Sequence, residues 1–101
     1  MQEQNEVALS DFRIFETDEF SKKFSKQPST EASFLRKKLD VFVYPQIKKE
    51  PFWGSNIKKL QGYSPDTWRY RIGKLRLFYI VDHEESIIYI LSIDHRKDAY
   101  R

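Results

Sequence analysis

Apolar residues recur at two different spacings along this chain, and the change of period divides it into a helical and a stranded half. "DFRIFET" (residues 11–17) alternates as an edge strand would, with Phe12 and Ile14 to one side. Thr17 then has the chemistry of an N-cap, and Asp18 and Glu19 fall in the first turn, where negative charge suits the helix dipole. Phe20 and Phe24 share a face at i, i+4, which predicts a short helix ending near Gln27-Pro28. Ser29 or Thr30 is the expected cap of a second helix, with Leu35, Leu39 and Phe42 as its apolar stripe and Pro45 as its end. The two helices read as an αα-hairpin. Residues 45–67 contain three of the four prolines and two of the three glycines, so mostly loop is expected, with a turn of irregular structure in "SNIKKLQG".

From Trp68 the period becomes two. "WRYRI", "LRLFYIV" and "SIIYILSI" read as three strands, joined by "GK" and by a turn within "DHEE". Gly73-Lys74 is a two-residue hairpin signal, with glycine where a type II′ turn requires it. The middle strand is apolar on both faces, as a central strand covered on each side would be. The order β-α-α-β-β-β predicts an α+β fold: an N-terminal strand and a helical hairpin packed on an antiparallel sheet. A parallel crossover from the first strand into that sheet fits this order, which leaves the strand order open. Residues 1–9 are polar and aperiodic and are expected to form a flexible tail, with a single domain over residues 10–101.

Composition narrows the chemistry. The chain has 101 residues, 40% of them hydrophobic, enough for one compact domain with a buried core. No run approaches the roughly 18–20 apolar residues of a membrane helix, so no membrane partner is expected. "MQEQNEVALSDF" lacks a basic segment leading into an apolar one, so no signal peptide is expected. The absence of cysteine excludes disulfides and thiolate metal sites and fits a reducing cytoplasm. Net charge is only +3, but residues 1–52 hold nine basic and nine acidic side chains, whereas residues 53–101 hold nine basic and six acidic. Clustered cations of this kind suit a polyanion, or else form an ordinary solvated face.

The cations gather in "RYRIGKLR", and no acid lies between Trp68 and Val81. If Gly73 and Lys74 are the loop residues, Arg71 lies opposite Arg76, and Arg69 is two residues along on the same face. Like charges opposed on a sheet destabilise it unless something anionic meets them. The planar arginine fork binds phosphate oxygens bidentately, making an RNA or DNA backbone the natural ligand; acids from elsewhere in the fold could neutralise the patch instead. The last strand runs into "SIDHRKDAYR" and should return His95, Arg96 and Tyr100 to the same end of the sheet. His95 could exchange a proton near neutrality, and Tyr100 could stack on a base or move a proton; either could also be structural.

Two histidines without carboxylates at ligand spacing offer no zinc site, and there is no glycine-rich phosphate loop or G-x-S-x-G. No metal or small-molecule cofactor is expected. The remaining set suits metal-independent RNA cleavage, in which the substrate's own 2′-hydroxyl attacks the neighbouring phosphorus.

The stretch "KKLQGYSPDTWRYRIGKLRLFYIVDHEESIIYILSIDHRKDAY" resembles the C-terminal half of RelE/ParE-superfamily toxins of type II toxin–antitoxin modules. The shared elements are K-L-x-G (Lys59–Gly62), W-R-x-R-x-G-x-x-R-x-x-Y (Trp68–Tyr79) and H-R-x-x-x-Y (His95–Tyr100). A looser likeness extends over residues 10–101. The resemblance implies a RelE-like fold of the microbial-ribonuclease type. It also implies an endoribonuclease that enters the ribosomal A site, cuts mRNA there and is blocked by a cognate acidic antitoxin. By this resemblance Arg69, Arg71, Arg76 and Arg96 carry RNA binding and charge stabilisation, and Tyr100 acts in proton transfer or base stacking. His95 is a further catalytic candidate by its chemistry, and Lys74, Lys58 and Lys59 are further RNA-binding candidates by their charge. Arginines standing where some relatives have lysines keep phosphate affinity but exchange protons poorly, so the general base stays open. The alternatives are a ParE-like DNA gyrase inhibitor and a non-catalytic relative that binds RNA or protein.

Overall fold

A computed structural model describes residues 11–97. The expected tail over residues 1–9, and Tyr100, lie outside the described residues. Strand β1 (Arg13–Glu16) leads through Thr17 into helix α1 (Asp18–Ser25). Thr17 is the N-cap: its Oγ1 accepts from the Phe20 N–H at 3.3 Å and donates to the Ile90 carbonyl at 2.8 Å. One hydroxyl therefore both starts the helix and ties it to the sheet.

The second helix departs from expectation at both ends. Pro28, not Ser29 or Thr30, is the N-cap of α2 (Ser29–Lys38), and no side chain caps it. The proline ring presets an extended backbone, and the Pro28 carbonyl opens the helix by accepting from the Ala32 N–H at 2.7 Å. Nor does Pro45 end the helix. The chain continues through a π-helical segment, Leu39–Val43, into α3 (Tyr44–Lys49). Proline normally clashes with the carbonyl four residues back. Here the Tyr44 N–H already reaches to the Leu39 carbonyl five residues back, and this widened turn admits the ring. The same widening moves the apolar stripe. Leu35, Leu39, Val43 and Ile47 are buried, whereas Phe42 is 61% exposed. A four-residue step overshoots a 3.6-residue turn by about 40°, and the π turn absorbs the drift.

The stretch expected as loop also contributes β2 (Ile57–Lys59), a short strand paired antiparallel with β3 (Trp68–Ile72). Strands β4 (Leu75–Asp82) and β5 (Ile87–His95) complete a five-stranded sheet of order β1-β5-β4-β3-β2. It is mixed, because β1 pairs parallel to β5, while the other neighbours are antiparallel. An irregularity between Phe78 and Tyr79 leaves Leu91 as an extra residue in β5. The Leu91 carbonyl, 3.2 Å from Thr17 Oγ1, shares the one hydroxyl proton with the Ile90 carbonyl, at the point where β1 gives way to α1.

The helices lie on one face of the sheet, where Phe20, Leu35, Leu39, Val43, Tyr44 and Ile47 meet Tyr70, Leu77, Tyr79, Ile88, Ile90 and Ile93. Buried hydroxyls find partners: Tyr79 donates to the Pro51 carbonyl at 2.5 Å and Tyr70 to Gln46 Oε1 at 2.6 Å. Arg36 bridges Glu16 and Asp40, and Tyr44 donates to the same Glu16 at 2.6 Å, which locks β1 to the helices. The opposite face carries Arg69, Arg71 and Arg76 beside Lys58, Phe78, Ser92 and Asp94. Among the described residues no helix is long and apolar enough to cross a membrane.

Candidate nucleic-acid interface

The β3–β4 hairpin closes with Ile72 opposite Leu75 and Arg71 opposite Arg76. Gly73 takes φ +56° and Lys74 does not take a positive φ, the pattern of a type II′ turn. Side-chain alternation then puts Arg69, Arg71 and Arg76 on the face away from the helices. Two cross-strand rows result. One runs Lys58, Arg69, Phe78, Ser92; the other, nearer the turn, runs Arg71, Arg76, Asp94.

Hydrogen bonding explains how opposed arginines are tolerated. Arg69 Nη1 donates to the Asn56 carbonyl at 3.2 Å, and Arg71 Nη2 reaches Asn56 Oδ1 at 3.5 Å. Arg76 Nη1 folds the other way, onto the carbonyls of Gly73 at 2.9 Å and Leu75 at 3.0 Å. The guanidinium groups of Arg71 and Arg76 therefore splay apart, which relieves the repulsion of like charges. Carbonyl acceptors satisfy N–H groups without cancelling charge. Among the described residues none of the three arginines pairs with a carboxylate, and the Nε atoms of Arg69 and Arg76 are buried without a partner. Asp94 stands opposite Arg76 but is engaged elsewhere. It accepts from Lys23 Nζ at 2.8 Å and from Ser92 Oγ at 2.8 Å. That hydrogen bond is the main cause raising the Lys23 pKa above the ordinary lysine value.

Arg96 follows β5, and its N–H donates to the Lys74 carbonyl at 2.7 Å, which fixes it beside the hairpin tip. Lys74, His95, Arg96 and Lys97 border a shallow depression of about 380 Å³ there. His95 pairs with Leu75 and so shares the arginines' end of the sheet but takes its opposite face. There it borders a cavity of about 630 Å³ between the hairpin tip and the start of α2. Lys59 alternates away from Lys58, level with Trp68, and lies 3.4 Å from Asp66. Asn56, which organises two arginines, carries no signal in the sequence. Asp94 could have been found by extending the Arg71–Arg76 register one strand further. Among the described residues no group of three or more His, Cys, Asp or Glu could hold a metal ion.

A family model described as the ParE toxin of the type II toxin–antitoxin system parDE matches residues 17–100. The chain belongs to this family. As a RelE/ParE-superfamily toxin it has relatives in archaea and bacteria. It is 34% identical over 74 residues to a Methanocaldococcus jannaschii protein named toxin RelE1, covering 73% of this chain and 78% of that one. It is 35% identical over 60 residues to toxin RelG of Mycobacterium tuberculosis, covering 59% and 67%. Among solved structures, the RelBE2 toxin–antitoxin complex of M. tuberculosis superposes with a TM-score of 0.65 at 23% identity, covering 85% of this chain and 99% of that chain. The isolated Escherichia coli RelE toxin gives 0.63 at 23% identity, covering 88% of each. The fold of this toxin is therefore RelE-like α+β. The match to the family model takes in every cation of the two rows.

Proposed function

We propose that this toxin is a ribosome-dependent mRNA endonuclease that arrests translation by metal-independent phosphodiester cleavage in the cytoplasm. It is held in check by an acidic antitoxin. The supporting observation is a sheet face with three arginines whose hydrogen bonds go to carbonyl or amide oxygens and not to carboxylates, so their charge is left for a phosphate. In this reading Arg69, Arg71, Lys58 and Lys74 hold the RNA backbone, with Lys59 a weaker contact because Asp66 is close. The substrate's 2′-oxygen loses its proton, bonds to phosphorus and expels the 5′-oxygen, which is protonated as it leaves. Arg76 and Arg96 stabilise the charge that builds on the phosphoryl oxygens. Tyr100 handles the proton transfers, and His95, on the opposite face of the sheet from Arg76, can share them only around the hairpin tip, where it borders the depression beside Arg96. Relatives solved as RelB–RelE complexes support the antitoxin as partner.

Cell-free translation with mapping of mRNA 5′ ends tests this. Arg76→Ala and Arg96→Ala should each slow cleavage by on the order of 10²–10³ while thermal unfolding stays unchanged. Undiminished cleavage by both variants would remove these roles. The ParE description of the matching family favours a second reading, inhibition of DNA gyrase. Intact mRNA together with blocked supercoiling would establish it in place of the first.

A further inference from the structure

Trp53 is 81% exposed, yet the loop that presents it is firmly held. The carbonyl of Pro51 accepts the Tyr79 hydroxyl, the Phe52 N–H donates to Glu50 Oε2 at 3.3 Å, and the Ile57 N–H donates to the Gly54 carbonyl at 3.0 Å. Gly54 has φ +155°, and a Cβ there would come within 2.8 Å of Gln46 Nε2, so the loop lies tight against α3. The indole is thus displayed by a fixed support. Behind it Phe52 packs against Trp68 with centroids 4.8 Å apart and stacks on His83 at 5.3 Å. Phe52, Trp53, Ile57, Lys58, Lys59 and Trp68 line a groove of about 480 Å³ whose lining carries two lysines and no acid. Lys58 belongs to both surfaces, since it also stands opposite Arg69 on the arginine face. From β4 to β2 is two strand spacings, about 10 Å, which a strand of two or three nucleotides covers.

We propose that this groove is a stacking subsite for an unpaired nucleobase of the RNA strand that is cut. Trp53 is its platform, and Lys58 holds the adjoining phosphate. The inference rests on the endonuclease reading for the identity of the strand. Broad aromatic faces bordered by cations are how proteins grip single-stranded RNA, because every base has a π-face to offer.

The test uses a fluorescent single-stranded RNA of about ten nucleotides, 2′-O-methylated so that it cannot be cut, a length within the site size of single-strand binders. Binding to the wild-type toxin should quench tryptophan emission. Trp53→Ala should lose most of the quenching and bind roughly 5- to 100-fold more weakly, with the slope of affinity against salt unchanged, since stacking releases no counterions. Trp53→Phe should recover most of the affinity. Wild-type affinity in Trp53→Ala, or equal affinity of the wild type for duplex RNA, would overturn the proposal. So would Trp53→Ala losing the antitoxin while keeping RNA, which would assign the groove to that protein. If the wild type binds and is quenched but leaves mRNA intact during translation, the endonuclease reading falls and the stacking site stands.

Discussion

Raising salt should weaken RNA binding by an amount set by the cations of the arginine face. Lys58, Arg69, Arg71 and Arg76 share that face, and none has a carboxylate partner among the described residues. For single-stranded nucleic acid the logarithm of affinity falls by about 0.7 per neutralised phosphate for each decade of salt. Four contacts therefore predict a slope of about −3, and a roughly 50-fold loss between about 50 and about 200 mM salt. Arg71→Ala should bring the slope to about −2 and the loss to roughly 20-fold, because one fewer counterion is released. Arg71→Lys should restore the slope but not the full affinity, since ammonium cannot grip two phosphate oxygens at once. Fluorescence anisotropy of a labelled, uncleavable oligonucleotide across a salt series measures the wild type and both variants. A wild-type slope shallower than about −1 would refute the cradle. So would Arg71→Ala weakening binding with no change of slope, because the side chain would then act by shape and not by charge.

The shift of the apolar stripe by the π turn is testable through stability. Leu39→Ala should cost about 2–5 kcal/mol, whereas Phe42→Ala should stay within about 0.5 kcal/mol, both read from urea unfolding; equal losses would contradict the burial assigned to each. Burial pushes the Tyr79 hydroxyl above the ordinary tyrosine range, and burial assisted by Glu16 does the same at Tyr44. Tyrosines of the unfolded chain ionise above about pH 10 while these two stay neutral, so stability should be intact below that pH and fall as pH rises through it. Urea midpoints at about pH 8 and about pH 11 should show this fall, and it should be shallower in Tyr44→Phe and Tyr79→Phe; an unaltered fall in both would show that other groups govern it.

Much of the molecule was legible locally. Alternation over "WRYRI" and "LRLFYIV" with Gly73 between them placed the turn and the Arg71–Arg76 pairing correctly, because a period of two and a two-residue loop leave a hairpin one register. Thr17 was legible for the same reason: a cap is satisfied within a few residues. Apart from the cap at Pro28, the errors arose where a distant neighbour overrode a local rule. Pro45 reads as a helix end from its own ring, yet burial of Val43, Tyr44 and Ile47 in the core outweighs that tendency and the π turn accommodates it. Ile57–Lys59 has no strand signal of its own and is a strand because β3 supplies the partners.

The same division runs through the site. Which residues could meet a phosphate followed from residue type and alternation, since charge and side-chain direction are properties of each short segment. Whether those charges were free did not follow, because that depends on which carboxylates the fold brings near. Asp94 turns to Lys23 on α1, a contact 71 residues apart in the chain, and Asn56, just before β2, receives Arg69 and Arg71 from the neighbouring strand. Trp53 and Trp68 look alike in one dimension, but packing buries much of one and leaves the other standing in solvent. Neutralisation and exposure are sums over neighbours in space, and only the folded chain supplies those neighbours.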